Sequence, residues 1–279
     1  MSGFSPEWLA LREPADHRAR NPDILAALQA AFADRESVTV VDLGCGTGSN
    51  LRATAPYLPL RQRWRLVDHD SALLAAAREG LTAWADSAEP RGDSLKLVKG
   101  GRELVVSFAR ADLVSGLEAA LGGSPDLVTA AALFDLVSVP WIERFAGRLA
   151  EENAAFYTAL TYNGLDTWRP AHEDDAAILA AFHAHQRRDK GFGLSAGPGA
   201  TEAMANALGA CGYSVKTGDS AWRLEAQDGA LIRELAGGVA QAVRETGQVA
   251  EERVSAWLDA RLGAAACAIG HTDLLAMPR

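Results

Sequence analysis

Residues 38 to 52 read Val-Thr-Val-Val-Asp-Leu-Gly-Cys-Gly-Thr-Gly-Ser-Asn-Leu-Arg, an apolar run that ends in an acid and is followed by three alternating glycines. The run suits a strand covered on both faces of a parallel sheet. Gly44, Gly46 and Gly48 let the backbone after it turn sharply and come close to a ligand. Together they predict a nucleotide-type site at the carboxyl end of the first strand. The dinucleotide fingerprint G-x-G-x-x-G wants its third glycine at position 49, where this chain has Ser49. The spacing here is G-x-G-x-G, which argues against a nicotinamide oxidoreductase.

The rest of the chain alternates strand and helix signals. Ser5 to Ala33 has a helical pattern broken near Glu13-Pro14, and it should cap the first strand, Val38 to Leu43. Trp64 to Val67 is the second strand, and Ser71 to Glu79 a helix with Asp70 as its N-cap. Leu95 to Lys99 and Arg102 to Phe108 flank Gly100-Gly101 as hairpin arms, the second arm being the third strand and the first an added edge strand. Asp126 to Ala132 and Ala154 to Thr161 are strands four and five, with Pro140 opening the helix between them. The alternation implies an α/β fold with a doubly wound, mostly parallel seven-stranded sheet.

Beyond strand five, Tyr162 to Pro198 carries a helix signal (Asp174 to Arg188) between loops rich in glycine, proline and charge. It reads as a lid over the ligand face. Thr201 to Ala210 and Tyr213 to Lys216 resume helix then strand, and Asp228 to Ala266 reads as two helices broken near Gly247. The last strand is either 221–225 or 272–277, with the second favoured. The expected organisation is one domain with a helical cap (1–35), a binding core (36–161), a lid insertion (162–198) and the remainder of the sheet with a helical pair (199–279).

The first strand and its loop resemble motif I of the class I S-adenosylmethionine (AdoMet) dependent methyltransferases, and the resemblance covers about Val38 to Thr161. It implies a Rossmann-like fold, AdoMet as cofactor and an enzyme that transfers its methyl group. Asp42 resembles the family acid that helps hold the methionine end, with Gly44 offering backbone contacts and Asn50 a second polar group. Asp68 lies 24 residues after Gly44, near the offset at which an acid meets ribose hydroxyls in doubly wound folds. Ionised, it offers only acceptors, which suits a diol. Asp112 matches the family's acid for the adenine amino group, Leu113 would lie against the ring, and His69 would pack beside ribose or adenine.

In this fold class the acceptor is approached from the carboxyl ends of strands four and five. That side holds Asp135, the only ionisable residue between Asp126 and Glu143, which is either the group that orients or deprotonates an acceptor or a capping acid. Ser138, Tyr162 and Asn163 are the candidate substrate residues, Ser138 also being a natural helix cap. Trp168, Arg169, His172, His183, His185, Arg187, Arg188 and Lys190 would give the lid a polar face. His183 and His185 stand two apart and make a poor metal pair on a helix, so no metal is expected. The arginines of Leu11 to Arg20 read as surface ion pairs, with one of them a candidate for the AdoMet carboxylate.

Composition narrows the partners. With 27 Lys plus Arg against 36 Asp plus Glu, the net charge of -9 has the wrong sign for tracking a phosphate backbone, so a small-molecule substrate is expected rather than nucleic acid. Cys45, Cys211 and Cys267 lack C-x-x-C spacing, which fits a reducing cytoplasm. The start has no apolar signal core, and no run approaches a membrane span's length. The sequence leaves the oligomeric state open. Rival readings are a non-catalytic AdoMet-binding regulator or partner protein, and a methyltransferase acting on a protein or RNA.

Overall fold

In the computed structural model, which describes residues 4–279, the apolar run divides the core in two. Val38 and Val40 join one layer of buried side chains, while Val41 and Leu43 join the other on the opposite face of the sheet. The first three residues of the expected cap lie outside the described residues. Along the chain the elements are α1 (Pro6–Ala19), α2 (Pro22–Ala31), β1 (Ser37–Leu43), α3 (Ser49–Thr54), β2 (Arg61–Asp68), α4 (Ser71–Trp84), β3 (Ser87–Arg91), β4 (Ser94–Lys99) and β5 (Arg102–Arg110). There follow α5 (Leu117–Leu121), β6 (Leu127–Ala131), α6 (Val139–Glu152), β7 (Ala155–Arg169), α7 (Asp175–Gln186), α8 (Ala200–Ala210), β8 (Tyr213–Asp219), β9 (Trp222–Leu224), α9 (Gly229–Thr246), α10 (Glu251–Leu262) and β10 (Ala266–Pro278).

The sheet runs β3-β4-β5-β2-β1-β6-β7-β10-β8, with β9 also paired to β10. The middle strands β5, β2, β1, β6 and β7 are parallel, β10 adds antiparallel to β7, and β8, antiparallel to β10, runs in the direction of the middle strands again. These seven form the expected doubly wound core. Strands β3, β4 and β9 are additions to it. Among the described residues no helix is long and apolar enough to cross a membrane.

Three local expectations needed correction, and the favoured choice for the last strand holds. The N-terminal helix runs through Pro14, which removes one backbone donor, and breaks instead at Arg20–Asn21. Asn21 precedes Pro22, which disfavours helical backbone there, and its side chain accepts from the N–H groups of Asp23 and Ile24, both at 3.0 Å, to start α2. Strand β4 is not the edge, because Ser87–Arg91 pairs outside it; Pro90 is tolerated on that outermost strand.

Strand β7 does not stop at Thr161 but continues to Arg169, since β10 runs beside it from Ala266 to Ala276. The first eight residues of the expected insertion are therefore strand. Both candidates for the last strand pair in the sheet: β10 takes the interior place, and Trp222–Leu224 adds alongside it. A register shift between Thr272 and Leu274 turns Asp273 inward, and Leu160 opposite has φ 60°. The Asp273 carboxylate accepts from Leu160 N (2.9 Å) and Asn21 N (3.0 Å), tying the last strand to the start of α2.

Candidate active site

The glycine loop leaves β1 with Gly44, Gly46 and Gly48 all at positive φ. At Gly46 a side chain would also be tight, since a Cβ there would stand 3.1 Å from Leu9 Cδ1 of α1 and the leucine would have to give way slightly. The loop is fixed from the neighbouring strand. Cys45 N donates to Val67 O (3.0 Å), and Gly46 N donates to Asp68 Oδ2 (2.9 Å). The other Asp68 oxygen accepts from Asp70 N (3.0 Å), and His69 Nδ1 stands 3.3 Å from it. Each carboxylate oxygen has a second lone pair, so Asp68 keeps acceptor capacity toward the space in front of it.

That space is a cavity of about 800 Å³. Its walls are the loop from Gly44 to Thr47 with Ser49 and Asn50, then Asp68 and His69, Asp112 and Leu113, and Leu133 and Leu136. Helix α1 closes it with Leu9, Arg12, Asp16 and Arg20, and the segment Lys190–Phe192 closes it from the other side. Phe192 packs edge-on against Trp141 of α6, with ring centroids 5.6 Å apart.

Of the arginines between Leu11 and Arg20, Arg18 makes the expected surface ion pair, with Asp228 (2.6 Å), whereas Arg12 and Arg20 turn inward. Arg20 is buried, donating to Asn50 Oδ1 (2.8 Å), Tyr157 Oη (3.1 Å) and Thr54 Oγ1 (3.3 Å), while its Nε is buried with no partner. Asn50 in turn donates to Asp42 Oδ1 (2.7 Å). Burial pushes the Asp42 carboxyl up to about 7 against the opposing pull of the Asn50 hydrogen bond and the Arg20 charge. Arg12 grips Asp16 through two hydrogen bonds (2.9 and 3.1 Å) and lies 5.0 Å over the Trp222 ring, whose Nε1 donates to Asp16 (3.0 Å). Contacts spanning some two hundred positions left no local signal for this in the sequence.

A second polar group lies within reach of the Arg12 charge, and none of its members lines the cavity. Asp135 sits in a single 3-10 turn (Phe134–Leu136) after β6, buried, with Oδ1 lacking any hydrogen-bond partner. Desolvation raises its carboxyl to about 6, opposed by its own backbone, the Arg12 charge and the nearby Tyr162 backbone. Tyr162 on β7 stands opposite His271 on β10. Its hydroxyl lies 3.2 Å from Asp166 Oδ1 and 3.0 Å from His183 Nε2. Burial raises Asp166 to about 7 and lowers His271 to about 3, so His271 is neutral, and its Nδ1 also lacks a partner.

No family model and no curated protein matches the sequence. Solved structures do match its fold. The cyclopropane synthase MmaA2 of Mycobacterium tuberculosis superposes with a TM-score of 0.51 at 11% identity, over 98% of this chain and 94% of that one. A cyclopropane-fatty-acyl-phospholipid synthase-like protein of Lactobacillus casei gives 0.51 at 15% identity with the same two coverages, 98% and 94%. The YcgJ protein of Bacillus subtilis gives 0.50 at 16%, over 93% of this chain and 99% of that one. This is the class I methyltransferase fold.

On that methyltransferase fold the residues expected from sequence separate into four sets. Gly44, Gly46, Asn50, Asp68, His69, Asp112 and Leu113 line one cavity. Asp112 is exposed, and its carboxylate accepts from Val114 N (2.9 Å) and Ser115 Oγ (3.1 Å) in its own turn. Asp42 and Gly48 do not line the cavity: Asp42 is fully buried behind Asn50, and Gly48 starts α3 while packing on Leu81 and Ala77. Asp135 and Tyr162 meet in the second polar group. Ser138 caps α6, accepting from Trp141 N (3.3 Å), and Asn163 makes local bonds to Leu165 N and Thr272. His183 faces Tyr162 whereas His185 pairs with Glu245 (2.9 Å), and of the charged residues between Arg169 and Lys190 only Lys190 reaches the cavity.

Proposed function

We propose that the chain is an AdoMet-dependent methyltransferase acting on a small molecule. The observation that carries this reading is the juxtaposition, across one cavity, of an acceptor-rich strand end at Asp68 with an unpartnered buried Arg20 Nε. An amino-acid carboxylate fits the second and a ribose diol the first. Its volume of about 800 Å³ lies within the range typical of small-molecule sites. When bound, AdoMet supplies an electrophilic methyl group on sulfonium sulfur.

The chain's own residues then have separate tasks. Asp68 accepts hydrogen bonds from the ribose hydroxyls while holding the glycine loop through Gly46. Arg20, oriented by Asn50 and behind it Asp42, receives the carboxylate. Asp112 and Leu113 hold the adenine edge and face. Helix α1 and Lys190–Phe192 exclude water, and Asp135, in the turn between the cavity-lining Leu133 and Leu136, is the candidate base, so that rate comes mainly from alignment in a closed site. The three free cysteines and the net charge of -9 support a cytoplasmic enzyme without a nucleic-acid partner.

Calorimetry on the purified chain is expected to show binding of AdoMet and S-adenosylhomocysteine and none of NAD. Binding of NAD alone defeats the reading. With Lys190–Phe192 as the closing part of a lid spanning 162–198, limited proteolysis within 187–193 should slow when cofactor and acceptor are both bound. Cleavage at equal rates with and without them would make the segment a fixed wall.

A further inference from the structure

One face of α1 runs along the cavity and carries Arg12 into its wall. Resting on the AdoMet reading above, we propose that the methyl acceptor is a carboxylic acid with an apolar body, and that Arg12 grips its carboxylate. Two observations carry this, the geometry of the guanidinium and the balance of charge around the cavity.

The guanidinium is fixed in place but only partly used. Arg12 turns its Nε and Nη2 edge to the Asp16 carboxylate (2.9 and 3.1 Å), lies 5.0 Å over the Trp222 ring and lines the cavity. Asp16 is itself held by Trp222 Nε1 (3.0 Å), so both partners are anchored from β9. An arginine carries its N–H donors in a rigid plane, and the edge facing Asp16 takes only part of them. Nη1 makes no hydrogen bond among the described residues, and with the second N–H of Nη2 it keeps a parallel pair of donors at the end of the group. A planar carboxylate matches such a pair with two hydrogen bonds. Because Asp16 and Trp222 already order the side chain, little rotamer freedom is lost on binding. Asp135 feels the Arg12 charge but makes no hydrogen bond to it, which leaves the free end of the fork open.

Charge points the same way. The chain has a net charge of -9, yet the cavity is lined by four cations, Arg12, Arg20, Arg110 and Lys190, against three acids, Asp16, Asp68 and Asp112. Asp16 is taken by Arg12, while Asp68 and Asp112 face the ribose and adenine in the reading above. Lys190 forms no ion pair among the described residues, and its backbone is set by a turn in which Asp189 Oδ1 accepts from Gly191 N (2.7 Å) and Gly193 N (2.9 Å). AdoMet brings a sulfonium and an ammonium against one carboxylate. An anionic acceptor compensates the resulting excess, and a cationic one adds to it.

Apolar residues set the rest of the acceptor. Leu9, one turn before Arg12, Leu133 and Leu136 beyond β6, and Phe192 beside Gly191 supply the remaining wall. A hydrocarbon or aromatic body buries against them, whereas a sugar would leave its hydroxyls unmet.

The test uses three ring-bearing probes of one size, phenylacetate, phenethyl alcohol and phenethylamine, titrated into protein saturated with S-adenosylhomocysteine. Phenylacetate should bind at least about tenfold tighter than either of the others. In Arg12→Gln, checked for folding by circular dichroism, that preference should fall within about twofold, while the affinity for S-adenosylhomocysteine stays within about twofold of wild type. Should that variant not fold, Arg12→Lys, which keeps a cation beside Asp16 and loses the fork, should weaken phenylacetate at least about fivefold and leave the alcohol unchanged. Preference for the alcohol or the amine, equal binding of acid and alcohol, a preference that survives the substitution, or no binding of any probe overturns the proposal. So does an Arg12→Gln protein that loses S-adenosylhomocysteine together with phenylacetate, because Arg12 then holds the carboxylate of the cofactor. Binding of S-adenosylhomocysteine to the wild type is measured first, so its failure defeats the cofactor reading separately, and the probes are then read on the unliganded protein.

Discussion

Replacing Asp135 with asparagine should lower turnover by about 100-fold or more while leaving the affinity for AdoMet unchanged. The variant keeps the shape of a buried side chain in the turn after β6 and removes only its charge and its capacity to take a proton. General bases contribute ~10²- to 10⁴-fold, which sets the expected scale. The carboxyl is held up to about 6 by burial, so the wild-type rate should fall as pH drops through that value and the base becomes protonated. In the variant that acidic limb should disappear. A raised Michaelis constant with unchanged turnover would make Asp135 a binding group only. No change in either would remove it from the site and leave Tyr162 and Asp166 as the next residues to substitute.

The second large effect is expected at Asp68, where alanine should weaken AdoMet binding by ~1.5–3 kcal/mol, roughly ten- to a hundredfold, the range for hydrogen bonds to a charged acceptor. Asp68 also fastens Gly46 N, so the loss includes disorder in the glycine loop, visible as faster amide exchange at residues 44–48. Asp70 is the control. Its side chain accepts from Ala72 N (2.7 Å) to cap α4, and Asp70→Ala should cost about 1 kcal/mol of stability with little change in affinity. If the two substitutions exchanged these effects, the assignment of roles at the end of β2 would be reversed.

The cavity wall around the glycine loop was legible because its parts are local. A strand, its glycine loop, and acids at the ends of the next two strands are each written within a few residues, and the parallel sheet brings them to one edge. Of the second polar group only Asp135 and Tyr162 were legible, Asp135 because it follows the end of β6 and Tyr162 because the sequence signal of β7 stops just before it, although the strand itself runs on to Arg169. His271 and Asp166 could not be read, because their place beside Tyr162 depends on β10 pairing with an extension of β7 that carries no strand signal stronger than the surrounding loops. Helix α1 misled in the opposite way. Arg12, Asp16 and Arg20 look like solvated charges on a helix, and only Trp222, Asn50 and Tyr157, supplied from far along the chain, turn them inward.

The interior position of β10 bears on how the protein comes to be made. A ribosome releases the glycine loop, Asp68 and Asp112 long before residue 266, yet β8 has no neighbour in the sheet until β10 slides between it and β7. Asp273, which fastens Asn21 at the foot of α1, arrives on that same strand. The nascent chain thus holds the cavity-lining residues before the strand that anchors Asn21, next to α1, is made, and ligand-binding competence should switch on late in synthesis. A fusion placed after residue 278 leaves this sequence of events intact, whereas a stop codon before residue 266 should yield a chain whose unpaired β7 and β8 edges are open to self-association.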